Sequence, residues 1–298
     1  MVKKILIPEG FELIKRVKCT IFVRTEYREL FQCFGEALLD GRLDGKDENL
    51  AFTGRGTCRV VTLKSPDNRV IIRRYRHGGL LGMLVGDLFW DQERPFNELA
   101  VSRTAAKMGL RTTEVVAIIK HKVFFPFFKA DLVTREIANS FDLISCLKGK
   151  LPDIANIGKQ KKDVIVEIAS SVRKMHDIGI FHGDLHLKNI MLKVEKEGGF
   201  SIYIIDLDKS KMINVLTIEK RVKNLYRLDR SVEKLKMQFM KSPDIYNGKF
   251  PVSKSDRVRF FKEYMRGCTN GDGWRNLIRK YSPDYLSHKL RWRITVRG

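Results

Sequence analysis

Short runs of β-branched and apolar residues, interrupted by turn residues, dominate the first half of the chain and predict strands. Residues 50–63 and 70–75 form two such runs, separated by the turn signal Ser65-Pro66-Asp67-Asn68. A strand, a tight turn and a second strand are typical of a hairpin. Two further strands are predicted over residues 115–120 and 130–134.

Three other segments repeat apolar residues at the three- and four-residue spacing of a helix. This spacing predicts helices over Glu93–Met108, Lys161–Ile178 and Glu219–Met240. Gly109 and Gly179 directly follow the first two segments, where glycine is a common helix stop. The second half of the chain is therefore mostly helical.

This order of elements predicts an α+β fold with two lobes. A β-rich N-terminal lobe with one helix is expected at residues 1–135, and a helical C-terminal lobe at residues 136–298. The connector lies near Thr134–Ile137. Two such lobes leave a cleft, and small ligands usually bind in clefts.

One loop carries the clearest candidate chemistry. His182, Asp184 and Asn189 occur in the pattern H-x-D-x-x-x-x-N, and a predicted hairpin over residues 190–205 then ends at Asp206. Phosphoryl transfer needs a carboxylate beside the attacking hydroxyl and oxygen ligands that hold Mg²⁺ against the phosphates. Asp184 suits the first role, and Asn189 with Asp206 suits the second.

Each of these residues also has an ordinary structural interpretation. A single Asp in a loop is usually a turn former or a helix cap. The conjunction favours function, because the loop follows an amphipathic helix and precedes a hairpin that ends in a second Asp.

Two features of the first lobe fit phosphate binding. Gly54-Arg55-Gly56-Thr57 lies between strand-like segments, where glycine lets backbone N–H groups approach a phosphate. Alone this pattern favours a plain hairpin turn, and its position before the Val70 strand and the Glu98 helix is what favours phosphate binding. Arg73 ends the run Val-Ile-Ile-Arg, and Glu98 lies on the following helix. Kinases pair a strand cation, usually Lys, with a helix Glu to grip the phosphates, and Arg keeps that charge.

Composition narrows the class of protein. The 298 residues are 43% hydrophobic and 31% charged, which is typical of a globular chain. No apolar run approaches the ~20 residues that span a bilayer, and the N-terminus lacks the apolar core of a signal peptide. The five cysteines are scattered without a C-x-x-C pair, so we expect reduced thiols in a cytoplasmic protein.

The net charge of +22, from 57 Lys and Arg against 35 Asp and Glu, indicates an anionic partner. Nucleic acid, an anionic membrane face and a phosphorylated substrate all meet that requirement. Charge alone does not choose among them.

Several runs together resemble the lipopolysaccharide kinases, and most of all the branch that phosphorylates 3-deoxy-D-manno-octulosonic acid (Kdo). The resemblance covers about residues 53–235 and is carried by RVIIRRYRHGGLLGMLVGDLFW, RPFNELA, FFKADLVTREIANSFDL, FHGDLHLKNIML and YIIDLDKSK. It implies a protein-kinase-like fold and an enzyme that uses ATP and Mg²⁺. The implied acceptor is the 4-hydroxyl of Kdo on Kdo-lipid A, at the cytoplasmic face of the inner membrane.

The resemblance also implies roles for residues. Asp184 is the expected catalytic base, and Asn189 and Asp206 are the expected metal ligands. His186 stands where protein kinases have Lys, and Lys188 directly precedes Asn189, both as departures from the family pattern. Either residue is a candidate contact of the γ-phosphate, and Lys188 is equally typical of a solvated loop residue. Arg73 is expected to pair with Glu98. The stretch from Glu136 to Ile137 is expected to form the hinge beside adenine, and the Gly54–Thr57 turn to lie over the phosphates.

The chain departs from regulated protein kinases in two places. Gly183 stands where those enzymes have the Arg of H-R-D, and no A-P-E follows Asp206. Activation by a phosphorylated loop and recognition of a peptide substrate are therefore disfavoured.

An anionic lipid acceptor accounts for the basic charge. The C-terminal residues combine cations with aromatic side chains, which is typical of an interfacial anchor or equally of a tail helix with its charges in water. These are Arg275, Arg279, Lys280, Lys289, Arg291 and Arg293 with Trp274, Tyr281, Tyr285 and Trp292.

Other functions stay open from the sequence. The acceptor can instead be heptose of the lipopolysaccharide core or another small hydroxylated molecule. A basic RNA-associated kinase-like protein or an inactive binding module is a further alternative. No RNA-binding aromatic motif occurs, so no nucleic-acid partner is expected, and both Asp184 and Asp206 are present, which disfavours an inactive module.

Overall fold

The computed structural model describes residues 7–33, 50–53, 56–62, 69–76, 86–89, 93–149, 157–196, 198–241 and 250–266. The chain divides into two compact units. The first is Met1–Ser102 with Thr113–Ala138, and the second is Arg103–Thr112 with Asn139–Gly298.

The sequence placed residues 103–112 in the first lobe and ended that lobe at residue 135. The structure instead groups residues 103–112 with the second unit. The reason is local hydrogen bonding, because Lys174 Nζ donates to the Gly109 carbonyl at 2.6 Å and the Ile204 N–H donates to the Arg111 carbonyl at 3.0 Å.

An antiparallel sheet forms the first unit. Its strands are β1 (Phe11–Lys15), β2 (Cys19–Arg24), β3 (Leu50–Thr53), β4 (Gly56–Thr62), β5 (Arg69–Arg74), β6 (Val115–Phe124) and β7 (Phe127–Arg135). Among the described residues the strand order is β1-β2-β6-β7-β5-β4-β3. The predicted hairpin over 50–75 is thus three strands, since Thr53 lies opposite Gly56 and the chain reverses there.

Side chains alternate between the two faces of this sheet. Ile21 and Val23 pack on one face with Phe31 of helix α1 (Arg28–Cys33), while Phe22 lies in the cluster on the other face. Two-residue alternation is the geometry of a pleated strand. No element was predicted before residue 50, so β1, β2 and α1 were missed.

Helix α2 (Glu93–Lys107) lies where the spacing predicted it. It packs into the apolar cluster that contains Phe22. Leu99 is buried there and Phe96 packs against it. Gly109, with φ of 73°, follows in the left-handed conformation that glycine tolerates best, so the predicted helix stop is confirmed.

Helices dominate the second unit. Those within the described residues are α3 (Leu143–Leu147), α4 (Ile157–Asp177), α5 (Ile218–Lys241) and α6 (Lys254–Tyr264). Helix α4 packs against α6, where Lys161 Nζ lies 2.5 Å from Asp256 Oδ2. A capping box joins Ser253 and Asp256 at the start of α6, a helix that the sequence analysis did not identify.

Short strands frame the predicted loop of the second unit. They are β8 (Ser140–Asp142), β9 (Ile180–Phe181), β10 (Ile190–Val194), β11 (Phe200–Ile204) and β12 (Lys211–Met212). The hairpin β10–β11 confirms the prediction, with Ile190 opposite Ile204. Strand β8 pairs with β10 on the side away from β11, and β12 pairs with β9.

Among the described helices, none is long and apolar enough to cross a bilayer. The predicted basic and aromatic tail lies outside the described residues.

Candidate active site

From Asp184 to Asn189, the loop between β9 and β10 alternates more accessible side chains with buried ones. Leu185 and Leu187 are buried, whereas Asp184 and Lys188 are exposed. A short 3₁₀ turn, Leu187–Asn189, then leads directly into β10. Burial of every second residue presents Asp184 on the outer side of the loop.

His182 anchors this loop to the segment that carries Asp206. Its Nε2 lies 3.1 Å from the Ile205 carbonyl, and its Nδ1 accepts from the Asp184 N–H at 3.0 Å. A carbonyl only accepts, so Nε2 carries the proton. Burial lowers the pKa of His182, so the imidazole is neutral.

Asn189 and Asp206 lie at the same end of the β10–β11 hairpin. The Ile205 N–H donates to the Asn189 carbonyl at 2.9 Å, which continues the ladder beyond Ile190 and Ile204. Asp206 is the next residue and has φ of 61°, a left-handed conformation that Asp adopts more readily than most residues.

The amide of Asn189 is oriented by its own hydrogen bond. Its Nδ2 donates to the Asp184 carbonyl at 2.9 Å, and this fixes which amide atom is nitrogen. Oδ1 is therefore the atom that can bind a cation. Among the described residues no group of three or more His, Cys, Asp or Glu forms a metal site. An amide oxygen with one carboxylate suits Mg²⁺ when phosphate oxygens complete the shell.

The Asp184 carboxylate is more than half exposed and has a histidine partner. His186 Nε2 lies 3.6 Å from Asp184 Oδ2, slightly beyond ordinary hydrogen-bond length. This imidazole holds the pKa of Asp184 below its ordinary value; partial burial opposes the shift, and Lys209 supports it. Asp184 is thus ionised at neutral pH and able to accept a hydrogen bond from a hydroxyl.

Gly183 is required by a close approach of two backbone segments. A Cβ built on Gly183 would lie 2.3 Å from the Lys209 carbonyl oxygen. The absence of the kinase Arg at this position therefore has a steric cause. The tight contact also holds the Asp184 loop against the segment that follows Asp206.

Helix α5 grips the loop through three polar residues on one face. Asn224 Oδ1 accepts from the His182 N–H at 2.9 Å while its Nδ2 donates to the His182 carbonyl at 2.8 Å. Arg227 donates to the Gly183 carbonyl, and Ser231 Oγ accepts from the Leu187 N–H at 3.1 Å. Spacings of three and four residues place these side chains on one helix face.

Buried hydrogen bonds also connect Asn224 of α5 to α4 and α6. His176 Nε2 lies 3.2 Å from Asn224 Oδ1, and His176 Nδ1 lies 2.6 Å from the Tyr264 hydroxyl. Burial is the main cause that lowers the pKa of His176 to about 4. His176 is thus neutral, donates through Nε2 and accepts through Nδ1.

Asn224, Arg227 and Ser231 were not among the residues predicted from the sequence, where only the apolar spacing of this helix was used. Leu225, Leu228 and Leu235 are indeed buried. A signal was available in the sequence, because these three polar residues recur at helical spacing beside the apolar residues of α5.

In the first unit, Arg73 and Glu98 pair as the sequence predicted. Arg73 Nη2 donates to both Glu98 carboxylate oxygens at 2.8 Å, and the Tyr75 hydroxyl donates to Oε2. Glu98 is buried on α2. The pairing is observed, whereas its part in catalysis stays a prediction.

A second ion-pair cluster joins residues from two of the runs that carry the family resemblance. Arg74 binds both oxygens of the buried Asp131, at 2.8 and 2.9 Å, and His121 Nε2 lies 2.7 Å from Oδ2. Burial opposes ionisation, but these hydrogen bonds outweigh it and lower the pKa of Asp131 to about 2. The sequence analysis assigned no role to Asp131.

The remaining predicted residues have simpler surroundings. Glu136 follows β7, where its N–H donates to the Arg69 carbonyl at 2.9 Å and its carboxylate pairs with Arg69 at 3.2 Å. Ile137 comes next. Gly56 and Thr57 begin β4, while Gly54 and Arg55 lie outside the described residues. The nucleotide-binding roles assigned to all of them, and to Lys188, stay predictions.

The two units have the elements of a protein-kinase-like phosphotransferase: a sheet with a paired Arg and helix Glu, and a helical unit with the H-x-D-x-x-x-x-N loop. A solved structure described as WaaP in complex with acyl carrier protein has the same fold, with a TM-score of 0.58, 16% identity, and coverage of 93% of this chain and 99% of that chain. The fold class predicted from the sequence is therefore confirmed.

Sequence comparison then defines the family. The profile of the lipopolysaccharide kinase (Kdo/WaaP) family matches residues 51–264. The chain is similar to 3-deoxy-D-manno-octulosonic acid kinase of Vibrio cholerae, 31% identical over 189 residues that cover 61% of this chain and 72% of the relative. It is also similar to that of Haemophilus influenzae, 32% identical over 201 residues, or 63% and 77% of the two chains.

The chain belongs to the lipopolysaccharide kinase (Kdo/WaaP) family, as the resemblance implied. It is a phosphotransferase that acts on a sugar hydroxyl.

Proposed function

We propose that this protein transfers the γ-phosphoryl group of ATP to the 4-hydroxyl of Kdo on Kdo-lipid A. The observation that carries the proposal is the network that holds the Asp184, Asn189 and Asp206 segments together at one end of the β10–β11 hairpin. Family membership and the names of the relatives support a Kdo acceptor.

Asp184 acts on the acceptor in this proposal. Its carboxylate, which is ionised at neutral pH, accepts the hydrogen bond of the attacking hydroxyl and takes its proton. The neutral His182 holds the Asp184 backbone, and Gly183 lets the loop lie against Lys209. These contacts keep the carboxylate in place before the acceptor arrives, which is how positioning lowers a barrier.

Asn189 Oδ1 and the Asp206 carboxylate would hold Mg²⁺, which when bound neutralises developing charge on the phosphates. Lys188, exposed on the same loop, is proposed to contact the γ-phosphate. Arg73, oriented by Glu98, is proposed to bind phosphate oxygens.

The Gly54-Arg55-Gly56-Thr57 turn is proposed to bind the nucleotide phosphates through backbone N–H groups. Backbone groups at Glu136 and Ile137 are proposed to contact adenine.

The charge of the chain supports an anionic acceptor at a membrane. Kdo-lipid A carries phosphates and carboxylates, and the chain carries a net charge of +22. We propose a peripheral location on the cytoplasmic face of the inner membrane, with no nucleic-acid partner.

The test is product analysis by mass spectrometry. Purified protein is incubated with ATP and Mg²⁺ and either Kdo-lipid A or a heptose-containing core acceptor. We expect one added phosphate on the Kdo residue, with fragmentation and NMR placing it on the 4-hydroxyl. Phosphate on heptose alone, or transfer to neither acceptor while ATP binds, contradicts the proposal.

A further inference from the structure

Two neighbouring turns of the first unit expose large apolar side chains together. The β6–β7 turn presents Val123, Phe124 and Phe125, which are 45%, 57% and 88% exposed, and the β1–β2 turn presents Val17, which is 88% exposed. We call these four residues the apolar tip. A cluster of exposed apolar side chains marks an interaction site more often than single scattered ones do.

Direct hydrogen bonds hold the two turns side by side. The Lys122 N–H donates to the Lys18 carbonyl at 2.9 Å, and Lys122 Nζ lies 3.4 Å from the Arg16 carbonyl and 3.3 Å from the Val17 carbonyl. The ring of Phe124 lies 4.9 Å from that of Phe127. The apolar tip is therefore one preformed surface at one end of the sheet.

Cations surround this tip without nearby acids in the same segments. Residues 13–25 and 115–130 contain no Asp or Glu. Lys15, Lys18 and Lys122 are exposed on these two hairpins. Lys129, further along β7, is paired with Asp87 at 3.1 Å, so its charge is offset.

We propose that the apolar tip inserts into the surface of an anionic bilayer. Aromatic and aliphatic side chains enter the boundary between headgroups and acyl chains, while lysines around them reach anionic headgroups. The positive charge of these lysines complements the negative charge of anionic lipid headgroups. This inference adds to the proposed function the surface that contacts the membrane. Only the identity of the membrane rests on the proposed function.

The apolar contribution is tested by co-sedimentation of the full chain with phosphatidylcholine vesicles that contain or lack phosphatidylglycerol. Phe125→Ser is expected to lower partitioning into the anionic vesicles about tenfold, from the apolar area it no longer buries. Met240→Ser, which changes a 70% exposed apolar residue of the second unit, is the matched control and is expected to bind like wild type. Unfolding temperatures verify that each variant is folded.

The charge contribution uses a second matched pair. Lys15→Glu is expected to lower partitioning at least about fivefold with phosphatidylglycerol and to have little effect without it, because each basic residue near an anionic surface adds about that factor. Lys162→Glu makes the same charge change at an exposed position of α4 and is the control.

Wild-type binding by folded Phe125→Ser overturns the proposal, as does an equal loss in Met240→Ser. Loss of binding only when Trp274 and Trp292 are replaced assigns the contact to the C-terminal tail instead and also overturns it. Capture of an acidic protein through the tip, without vesicle binding, overturns the lipid assignment.

Phosphate transfer to detergent-dispersed Kdo-lipid A is measured separately. A tip variant that keeps transfer but loses vesicle binding supports the proposal. Vesicle binding through the tip in a protein that transfers no phosphate leaves the tip supported and rejects only the proposed function.

Discussion

Asn224 is the residue whose replacement tests the loop-anchoring network most sharply. Asn224→Leu keeps a side chain of similar size and a good helix former, but it removes three hydrogen bonds. The groups left without partners are the His182 N–H, the His182 carbonyl and the His176 Nε2–H, all of them buried.

The expected loss of stability follows from those three groups. Each buried polar group left unpaired costs about 1–3 kcal/mol. Members of one network are not additive, because the loop can shift and water can enter, so we expect a total of about 3–5 kcal/mol. For a unit of this size, that lowers the unfolding temperature by roughly 10 °C.

Activity is expected to fall for a separate reason. The His182 backbone positions Asp184, and a displacement of about 1 Å at a reacting group costs on the order of 100-fold in rate. We therefore expect kcat to fall by that order at a temperature where the variant is folded, with KM for ATP nearly unchanged. Calorimetry and steady-state kinetics measure the two effects.

Two further variants sharpen the result. Lys223→Leu changes the exposed neighbouring residue of α5 and is expected to behave like wild type. Asn224→Asp still accepts from His182 and His176 but no longer donates to the His182 carbonyl, so an intermediate loss is expected. Folded Asn224→Leu with wild-type unfolding temperature and wild-type kcat refutes the anchoring argument.

Three other changes give distinct outcomes. Gly183→Ala places a Cβ 2.3 Å from the Lys209 carbonyl oxygen, so we expect the rate of phosphate transfer to fall at least about tenfold. Binding of ATP, measured at equilibrium, is expected to be retained. A wild-type rate of transfer contradicts the steric argument. Arg73→Lys is expected to keep partial activity, whereas Arg73→Ala, which leaves Glu98 without its cation, is expected to raise KM for ATP; indifference of KM and kcat to Arg73→Ala removes Arg73 from the phosphate site. His176 has its pKa lowered to about 4 in the folded protein, so the unfolded chain binds this proton at higher pH and stability falls as pH drops from about 6.5 towards about 4. Urea unfolding across that range measures the slope. His176→Gln is expected to make the slope shallower without abolishing it, because the buried His182 also has a lowered pKa. An unchanged slope contradicts the assignment.

The local parts of the site were readable from the sequence because short-range patterns specify them. The H-x-D-x-x-x-x-N loop, the hairpin that delivers Asp206 and the helix that carries Glu98 each follow from spacing and turn residues within a short window. The Arg73–Glu98 pair was expected from the kinase pattern, in which a strand cation pairs with a helix Glu, and not from local spacing.

The supporting parts were not readable because they depend on tertiary contacts. Asn224 in a helix looks like an exposed polar residue until α5 is packed against the loop. Gly183 looked like the loss of an Arg, whereas its cause is a backbone contact with Lys209. The capping box at Ser253 is an exception, because S-x-x-D is visible in the sequence and was overlooked.

Phosphate transfer by Asp184→Asn tests the central claim most directly. Radiolabelled ATP and Kdo-lipid A are the substrates, and Asp163→Asn, the same change at an exposed position of α4, is the control. The account predicts a loss of at least about 1,000-fold for Asp184→Asn, with a wild-type unfolding temperature and a wild-type rate in the control. Near-normal transfer by folded Asp184→Asn would contradict it.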